Sequence, residues 1–274
     1  MQNAGIANLG LNWRYLAFEV LPEDLRQAIE GARAMRFVGL NLTLPHKVLA
    51  VNLVDALDDS ARTWGTVNTI RFEAQDSAGA WRPVSEVPDA AKIRATGFNT
   101  DAHAVTRSLR EDLEVSLPGS KVLLLGAGGA GRTAALKMAS EGVTDLYLVN
   151  RTSARAEAVA LEIKQRYPSV KTTVGYPAGT VDLVLNATSL GLRTDDPLPY
   201  SETNFALSRA KAVYDMIYLP SETRLLQQAK AAGCRVSNGL GMLLYQGAKA
   251  LEIWTGRPAP LAIMRRALEQ HVYR

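Results

Sequence analysis

Cysteine is almost absent from this sequence. Cys234 is the only one among 274 residues, so the chain can close no internal disulfide and build no thiolate metal cluster, which fits a reducing cytoplasm. Histidine is nearly as scarce: His46, His103 and His271 are widely spaced and lack the short-range pairing with acids that a metal site shows, so no metal is expected. No stretch approaches the roughly 20 apolar residues needed to span a bilayer, and the opening Met1-Gln2-Asn3-Ala4-Gly5 has no basic segment leading into an apolar one. A soluble mature protein without membrane partners is the expectation. Excess charge is missing too. The 31 Lys and Arg against 27 Asp and Glu leave a net charge of only +4, and the basic residues form no run or stripe that would track nucleic acid.

With 47% hydrophobic and 21% charged residues the chain can bury a real core, and its length favours two domains. Trp13 to Val20 reads as a short strand, and Pro22-Glu23-Asp24-Leu25 opens a helix whose early acids suit the positive end of its dipole. Arg36 to Thr43 reads as a second strand, which Leu44-Pro45-His46-Lys47 breaks ahead of an apolar-periodic helix from Val48 to Leu57. A third strand is expected over Thr66 to Phe72, then a polar hairpin and surface excursion between Glu73 and Ala95, then a helix from Asp101 to Leu113. The turn Leu117-Pro118-Gly119-Ser120 marks a domain boundary. Beyond it, strands at 121–125, 145–149, 170–174, 181–186 and 211–217 alternate with helices at 130–141 and 153–166. Such alternation specifies parallel strands with crossover helices, the doubly wound arrangement. Residues 240–274 read as helical. The expected division is therefore 118–239 as one α/β domain and 1–117, with 240–274 folding back onto it, as a smaller one, with a cleft between them.

In Val122-Leu123-Leu124-Leu125-Gly126-Ala127-Gly128-Gly129-Ala130-Gly131 a G-x-G-x-x-G pattern follows an apolar strand and opens an Ala-rich helix. Gly126 allows the tight turn, Gly128 lets backbone approach a pyrophosphate, and Gly131 allows close helix–strand packing, with helix N–H groups free to meet the anion. An NAD site needs an acid at the end of the next strand, about 20 residues on. This chain has Asn150-Arg151-Thr152 there. An Arg pairs with a 2′-phosphate that an acid would repel, so NADP is the expected cofactor. Arg155 is a second candidate contact beside its reading as a solvated helix-face charge. Asn186-Ala187-Thr188-Ser189-Leu190-Gly191 follows another apolar strand at its carboxyl end, where open α/β sheets bind ligands, though a capped turn would look the same.

Three further strings stand out: Asn41-Leu42-Thr43-Leu44-Pro45-His46-Lys47, Gly65-Thr66-Val67-Asn68-Thr69 and Gly97-Phe98-Asn99-Thr100-Asp101, each read as sitting just after a strand. Taken singly, a Lys opening a helix is solvated, an Asp after Asn-Thr is a cap, Asn68 is a turn residue and Gln246 a helix residue. Together with the glycine loop, Asn150-Arg151-Thr152, the Asn186 string, Tyr218-Leu219-Pro220-Ser221-Glu222-Thr223 and Gly239-Leu240-Gly241-Met242-Leu243-Leu244-Tyr245-Gln246, their order and spacing resemble the shikimate dehydrogenase family over nearly the whole chain.

The resemblance implies NADP-dependent oxidation of shikimate to 3-dehydroshikimate on the way to chorismate and the aromatic amino acids. It makes Lys47 and Asp101 the catalytic pair, with Thr43, Asn68, Asn99 and Gln246 on the ring hydroxyls of a cyclohexene carboxylic acid. Tyr218, also a substrate contact, and Gly239 would lie beside the nicotinamide, with Asn186, Thr188, Ser189 and Met242 among the cofactor contacts. The chemistry has its own logic, since hydride arriving at a carbonyl carbon leaves negative charge on oxygen that a nearby ammonium stabilises and protonates. Asp101 would hold Lys47 by a charge-assisted hydrogen bond. His46 reads as local structure. The family pattern also carries an opening strand and a Ser-x-Ser element for the substrate carboxylate, and Met1-Gln2-Asn3-Ala4 resembles the helix that follows them. Quinate/shikimate or aminoshikimate-type dehydrogenases, and an NADP-binding protein without catalysis, are the alternatives; a monomer or homodimer is expected.

Overall fold

The computed structural model describes residues 1–89 and 92–273. In chain order the elements are helices α1 (Gln2–Asn8) and α2 (Leu25–Ala34), strand β1 (Gly39–Asn41), helix α3 (His46–Leu49), strand β2 (Ala56–Leu57), helix α4 (Asp59–Trp64), strands β3 (Thr69–Gln75), β4 (Trp81–Pro83) and β5 (Ile93–Phe98), and helix α5 (Asp101–Glu111). Then come β6 (Lys121–Leu125), α6 (Gly129–Ser140), β7 (Asp145–Val149), α7 (Ser153–Arg166), β8 (Lys171–Val174), β9 (Val181–Asn186), β10 (Ala210–Asp215), α8 (Arg224–Ala231), β11 (Arg235–Asn238), α9 (Leu240–Thr255) and α10 (Leu261–Val272). They form two compact units, Met1–His103 with Leu244–Val272, and Ala104–Leu243 with Tyr273.

The first unit is built on β1-β3-β5-β2, with β4 also paired to β3. Strand β3 runs antiparallel to β1, β4 and β5, and β2 lies parallel to β5. Its alternation puts Ile70, Phe72 and Ala74 in a core with Leu25 and Ile29 of α2, which recur on one helix face. The other face of β3 carries Arg71 and Glu73. Glu73 is almost fully buried, pairs with Arg71 and Arg94 (2.7 Å), and accepts the Thr96 hydroxyl at 2.6 Å. Arg71 also lies over the Phe98 ring and donates to the Ile253 carbonyl of α9. Trp254 Nε1 donates to the Ile70 carbonyl at 2.9 Å, and Gly5 of α1 closes on Leu251 and Met264, so the C-terminal helices belong to this unit.

In the second unit the strand order is β11-β10-β9-β6-β7-β8, all parallel. The chain starts in the middle at β6, winds out to β8, then returns to the far side of β6 with β9, which is the doubly wound topology the alternation specified. Strand β6 reads Lys-Val-Leu-Leu-Leu because a central parallel strand is covered on both faces, and Val122 to Leu125 have no exposed surface. Cys234 is buried here, its thiol directed at the Leu207 and Ala210 carbonyls.

Expected and observed elements differ in the first unit. Trp13–Val20 has the alternation of a strand but joins no ladder among the described residues. Side chains take its backbone groups instead: Asn3 pairs with both the N–H and C=O of Tyr15, and His46 Nε2 meets the Val20 carbonyl at 2.8 Å. The expected helix from Val48 to Leu57 starts at His46 and ends by Asn52, because Ala56 and Leu57 are drawn into pairing with Thr96 and Gly97. Of the expected strand Arg36–Thr43 only Gly39–Asn41 is in the ladder, with Val38 and Leu42 adding one backbone hydrogen bond each, and the strand expected over Thr66–Phe72 runs Thr69–Gln75. Helix α4 and strand β2 were not anticipated here, nor α8 and β11 in the second unit, and β5 was implied only by reading Gly97–Asp101 as following a strand. Within the polar excursion, residues 90–91 lie outside the described ones, while β3 and β4 form its hairpin.

Burial alone would raise the Glu73 carboxyl, but hydrogen bonds from Thr96, Arg71 and Arg94 reverse this and hold it below the ordinary glutamate range. The unfolded chain therefore takes up the proton first on acidification. The stability this group contributes is full above about pH 4.3 and is lost as pH falls through the lower folded value. Glu73→Gln should cost about 1–3 kcal/mol at neutral pH, less than for a fully buried pair because both guanidiniums keep some solvent. Urea melts at pH 7 and pH 3 should show a smaller acid-induced loss in the variant than in the parent.

Candidate active site

Three backbone hydrogen bonds bring the strings of the first unit to one place. Leu42 N–H donates to Asn68 O (2.8 Å), Val67 N–H to Lys47 O (2.8 Å) and Asn68 N–H to Phe98 O (3.1 Å). Two of the strings leave strands β1 and β5; the third, Gly65–Thr69, leads into β3 rather than out of a strand, because β3 runs antiparallel to both neighbours. Gly65 lies in the left-handed region (φ 68°) and turns the chain out of α4 into this string.

At the junction Lys47 Nζ donates to Asp101 Oδ2 at 2.7 Å. Both side chains are largely covered yet keep some exposure, 23% and 15%. Asp101 opens α5, where the helix dipole favours a carboxylate. Its other oxygen, Oδ1, accepts Asn68 Nδ2 at 2.9 Å. Asn68 is buried, donates also to Thr100 Oγ1 (2.9 Å) and towards Gln246 Oε1 (3.5 Å), and accepts the Thr100 N–H at 2.8 Å. Lys47, Asp101, Asn68 and Gln246 are thus one connected group. Behind them Tyr15 Oη donates to Asn41 Oδ1, and Asn41 Nδ2 donates to Asn68 O and Thr69 Oγ1.

Two expected residues stand differently. Thr43 is exposed, and its carbonyl accepts the His46 N–H. The Asn99 amide is buried and occupied: it donates to Thr66 Oγ1 (2.6 Å) and Thr66 O (3.3 Å), and accepts the Ala102 N–H at 3.1 Å, bracing the start of α5. Thr100, which fixes Asn68 by two contacts, was not singled out. Its place between Asn99 and Asp101 at a helix start was the available signal.

In the second unit Gly126 adopts φ 102°, which a side chain resists, and a Cβ there would come within 2.9 Å of Ala187 O and Thr188 Cγ2. The turn is clamped by Gly126 N–H to Val149 O (2.8 Å) and Ala127 N–H to Asn150 Oδ1 (3.0 Å), while Asn150 Nδ2 holds Thr152 O at 2.8 Å. Gly128, Gly129 and Ala130 leave the N-terminus of α6 accessible, and Gly131 is buried against Gly126. Arg151 and Thr152 are exposed beside this turn. A close-approach turn, an accessible helix N-terminus and an exposed guanidinium at the next strand end lie together, an arrangement that can accept a dinucleotide with a 2′-phosphate. Thr188 and Ser189 lie on the loop after β9, Tyr218 on the loop after β10, and Gly239 and Met242 at the start of α9. Gly239 N–H donates to Ile217 O at 3.1 Å, tying two of these loops together. Among the described residues no group of three or more His, Cys, Asp or Glu is gathered for a metal ion, and no helix is long and apolar enough to cross a membrane.

Family models match at residues 1–70 (shikimate dehydrogenase substrate binding domain), 108–191 (shikimate/quinate 5-dehydrogenase) and 239–269 (shikimate 5′-dehydrogenase C-terminal domain). A shikimate dehydrogenase (NADP+) of Methanopyrus kandleri is 38% identical over 279 residues, covering 99% of this chain and 90% of that protein. The chain belongs to the shikimate dehydrogenase family. The shikimate 5-dehydrogenase of Thermus thermophilus, solved with NADP(H) and shikimate, superposes with a TM-score of 0.79 at 32% identity over 98% of this chain and 92% of the other. A 5-ketofructose reductase of Gluconobacter superposes as well, at 0.80 with 32% identity and the same coverage. The doubly wound parallel sheet with a second α/β unit is therefore the fold that shikimate dehydrogenases share.

The geometry at Asn99 carries a test. Asn99→Ala would remove an acceptor of the Ala102 N–H and the donor to both Thr66 oxygens in a buried site, and should lower stability by about 1–3 kcal/mol, read from urea unfolding.

Proposed function

We propose that this protein is an NADP-dependent oxidoreductase that interconverts shikimate and 3-dehydroshikimate, acting in the cytoplasm as a monomer or homodimer and needing no nucleic acid. The observation that carries the reading is the Lys47–Asp101 pair at 2.7 Å, braced by Asn68, in a member of this family. The Met1–His103 unit is the substrate side and the doubly wound unit the cofactor side. Gly126–Gly131 would hold NADPH, with Arg151 toward its 2′-phosphate, and the bound cofactor would supply the hydride.

The chain's own residues do the rest. Lys47 Nζ stabilises the oxygen on which charge grows and gives it a proton; in the oxidative direction, deprotonated, it takes the proton back. Asp101 keeps Nζ in place and, through Oδ1, shares a fixed geometry with Asn68. Asn68 and Gln246 present amide groups to ring hydroxyls. Thr43, exposed on the turn that leads into α3 and Lys47, is a further contact. A 5-ketofructose reductase on the same fold favours a second substrate class, a polyhydroxy ketone, and quinate is a third.

Steady-state NADP reduction with shikimate, quinate and aminoshikimate, and NADPH oxidation with 5-ketofructose, decide among these. Shikimate should give the highest kcat/KM. Lys47→Ala should lower kcat by about 10³-fold with KM for NADP nearly unchanged; full turnover in this variant would overturn the reading. Arg151→Ser should raise KM for NADP while leaving that for NAD where it was. NADPH binding without turnover of any of the acids or ketones would mark a binding protein instead.

A further inference from the structure

Asp215 ends β10 with no exposed surface and, among the described residues, no ion-pair partner. Its carboxylate instead gathers three donors from three segments of the same unit. Oδ1 accepts Asn186 Nδ2 (2.9 Å) and Ile217 N–H (3.1 Å), and Oδ2 accepts the Thr223 hydroxyl (2.7 Å). Asn186 leads into the loop Ala187–Gly191, Ile217 into the loop that carries Tyr218, and Thr223 caps α8 through the Leu226 N–H.

The effect on Asn186 is directional. An amide has one donor end and one acceptor end, and Asp215 can only accept from it when ionised. With Nδ2 turned to Asp215, Asn186 Oδ1 faces Thr188 and accepts both its N–H (3.0 Å) and its hydroxyl (2.8 Å). The Thr188 hydroxyl in turn accepts the Leu190 N–H at 3.1 Å. This fixes the turn whose Ala187 carbonyl and Thr188 methyl stand against Gly126, and Gly191 then meets Ile217 and Thr223. Burial lifts the Asp215 carboxyl above its ordinary range, while the hydrogen bonds from Thr223, Ile217 and Asn186 oppose that lift. A hydrophobic residue or an amide at this strand end would avoid the cost of burying a carboxylate, so the position is held by what the carboxylate arranges.

We propose that Asp215 is the positioning residue of the cofactor side: its carboxylate sets the Asn186 amide and, with Thr223, shapes the Ala187–Gly191 and Met216–Pro220 loops that receive the nicotinamide half of NADP. The inference rests on the reading of this unit as the NADP-binding one. It assigns Asp215 no contact with reacting atoms.

Asp215→Asn keeps the size but brings an NH2 among three converging donors, so one donor loses its acceptor. The test is equilibrium titration of the full-length protein with NADPH and, separately, with adenosine 2′,5′-bisphosphate, which lacks the nicotinamide half. In Asp215→Asn, the NADPH Kd should rise about tenfold, the order expected for one unsatisfied buried donor, while the bisphosphate Kd stays within about twofold of the parent's. Thr223→Ser, which keeps the hydroxyl, should bind NADPH like the parent, and Thr223→Val should bind it several-fold more weakly. An NADPH Kd within about twofold of the parent's in Asp215→Asn, or equal losses for both ligands, overturns the proposal. If Asp215→Asn does not fold, equal NADPH affinities of the two Thr223 variants overturn it. A parent that binds neither ligand overturns the dinucleotide reading itself, an outcome distinct from the others.

Discussion

The Lys47–Asp101 ion pair can hold a fixed geometry only if the second carboxylate oxygen is also engaged, and Asn68 engages it. A pair left to itself at this exposure would exchange with solvent and contribute little. Much of the first unit can be understood as support for that one amide. Strand β3 delivers Asn68, β1 and β5 pin its backbone on either side, Thr100 fixes its orientation from the start of α5, and Asn41 carries the brace out to Tyr15. The three-stranded junction is a device for holding an asparagine.

The same arrangement recurs in the second unit. Asn186 donates to a carboxylate and accepts from the backbone N–H and hydroxyl of a threonine, as Asn68 donates to Asp101 and accepts from the N–H of Thr100. In each case the carboxylate takes the amide's donor end and a threonine N–H meets its oxygen, though Thr100 also accepts from the Asn68 donor end. One carboxylate keeps a partly exposed cation; the other is sealed and receives only neutral donors. That difference matches the two proposed roles, one group near protons in transit and one that shapes a loop.

How much of this could be read from the sequence depended on whether a signal was local. The second unit was legible up to β10, with strands 121–125, 145–149 and 181–186 and helix 153–166 as expected, because buried parallel strands and their crossover helices alternate with a strong period; α8 and β11 beyond it were missed. The first unit was less so. Strands β2 and β5 and the fate of Trp13–Val20 turn on non-local pairing, and a strand's alternation does not say whether a neighbour will be there. At the site, Lys47, Asp101, Asn68 and Gln246 were visible as motif residues, whereas the occupied amide of Asn99 and the hub at Asp215 depend on which donors converge in space. Asn186 and Thr223 stood in strings already singled out, but of Asp215 itself the only trace was an acid closing the apolar run Ala212-Val213-Tyr214-Asp215.

The scarcity of cysteine and the placing of tryptophan divide the molecule spectroscopically. Cys234 lies buried in the doubly wound unit, while Trp13, Trp64, Trp81 and Trp254 all belong to the other. Indole emission therefore reports on one body and thiol accessibility on the other, so the two halves carry separate native reporters of their unfolding without any label or substitution.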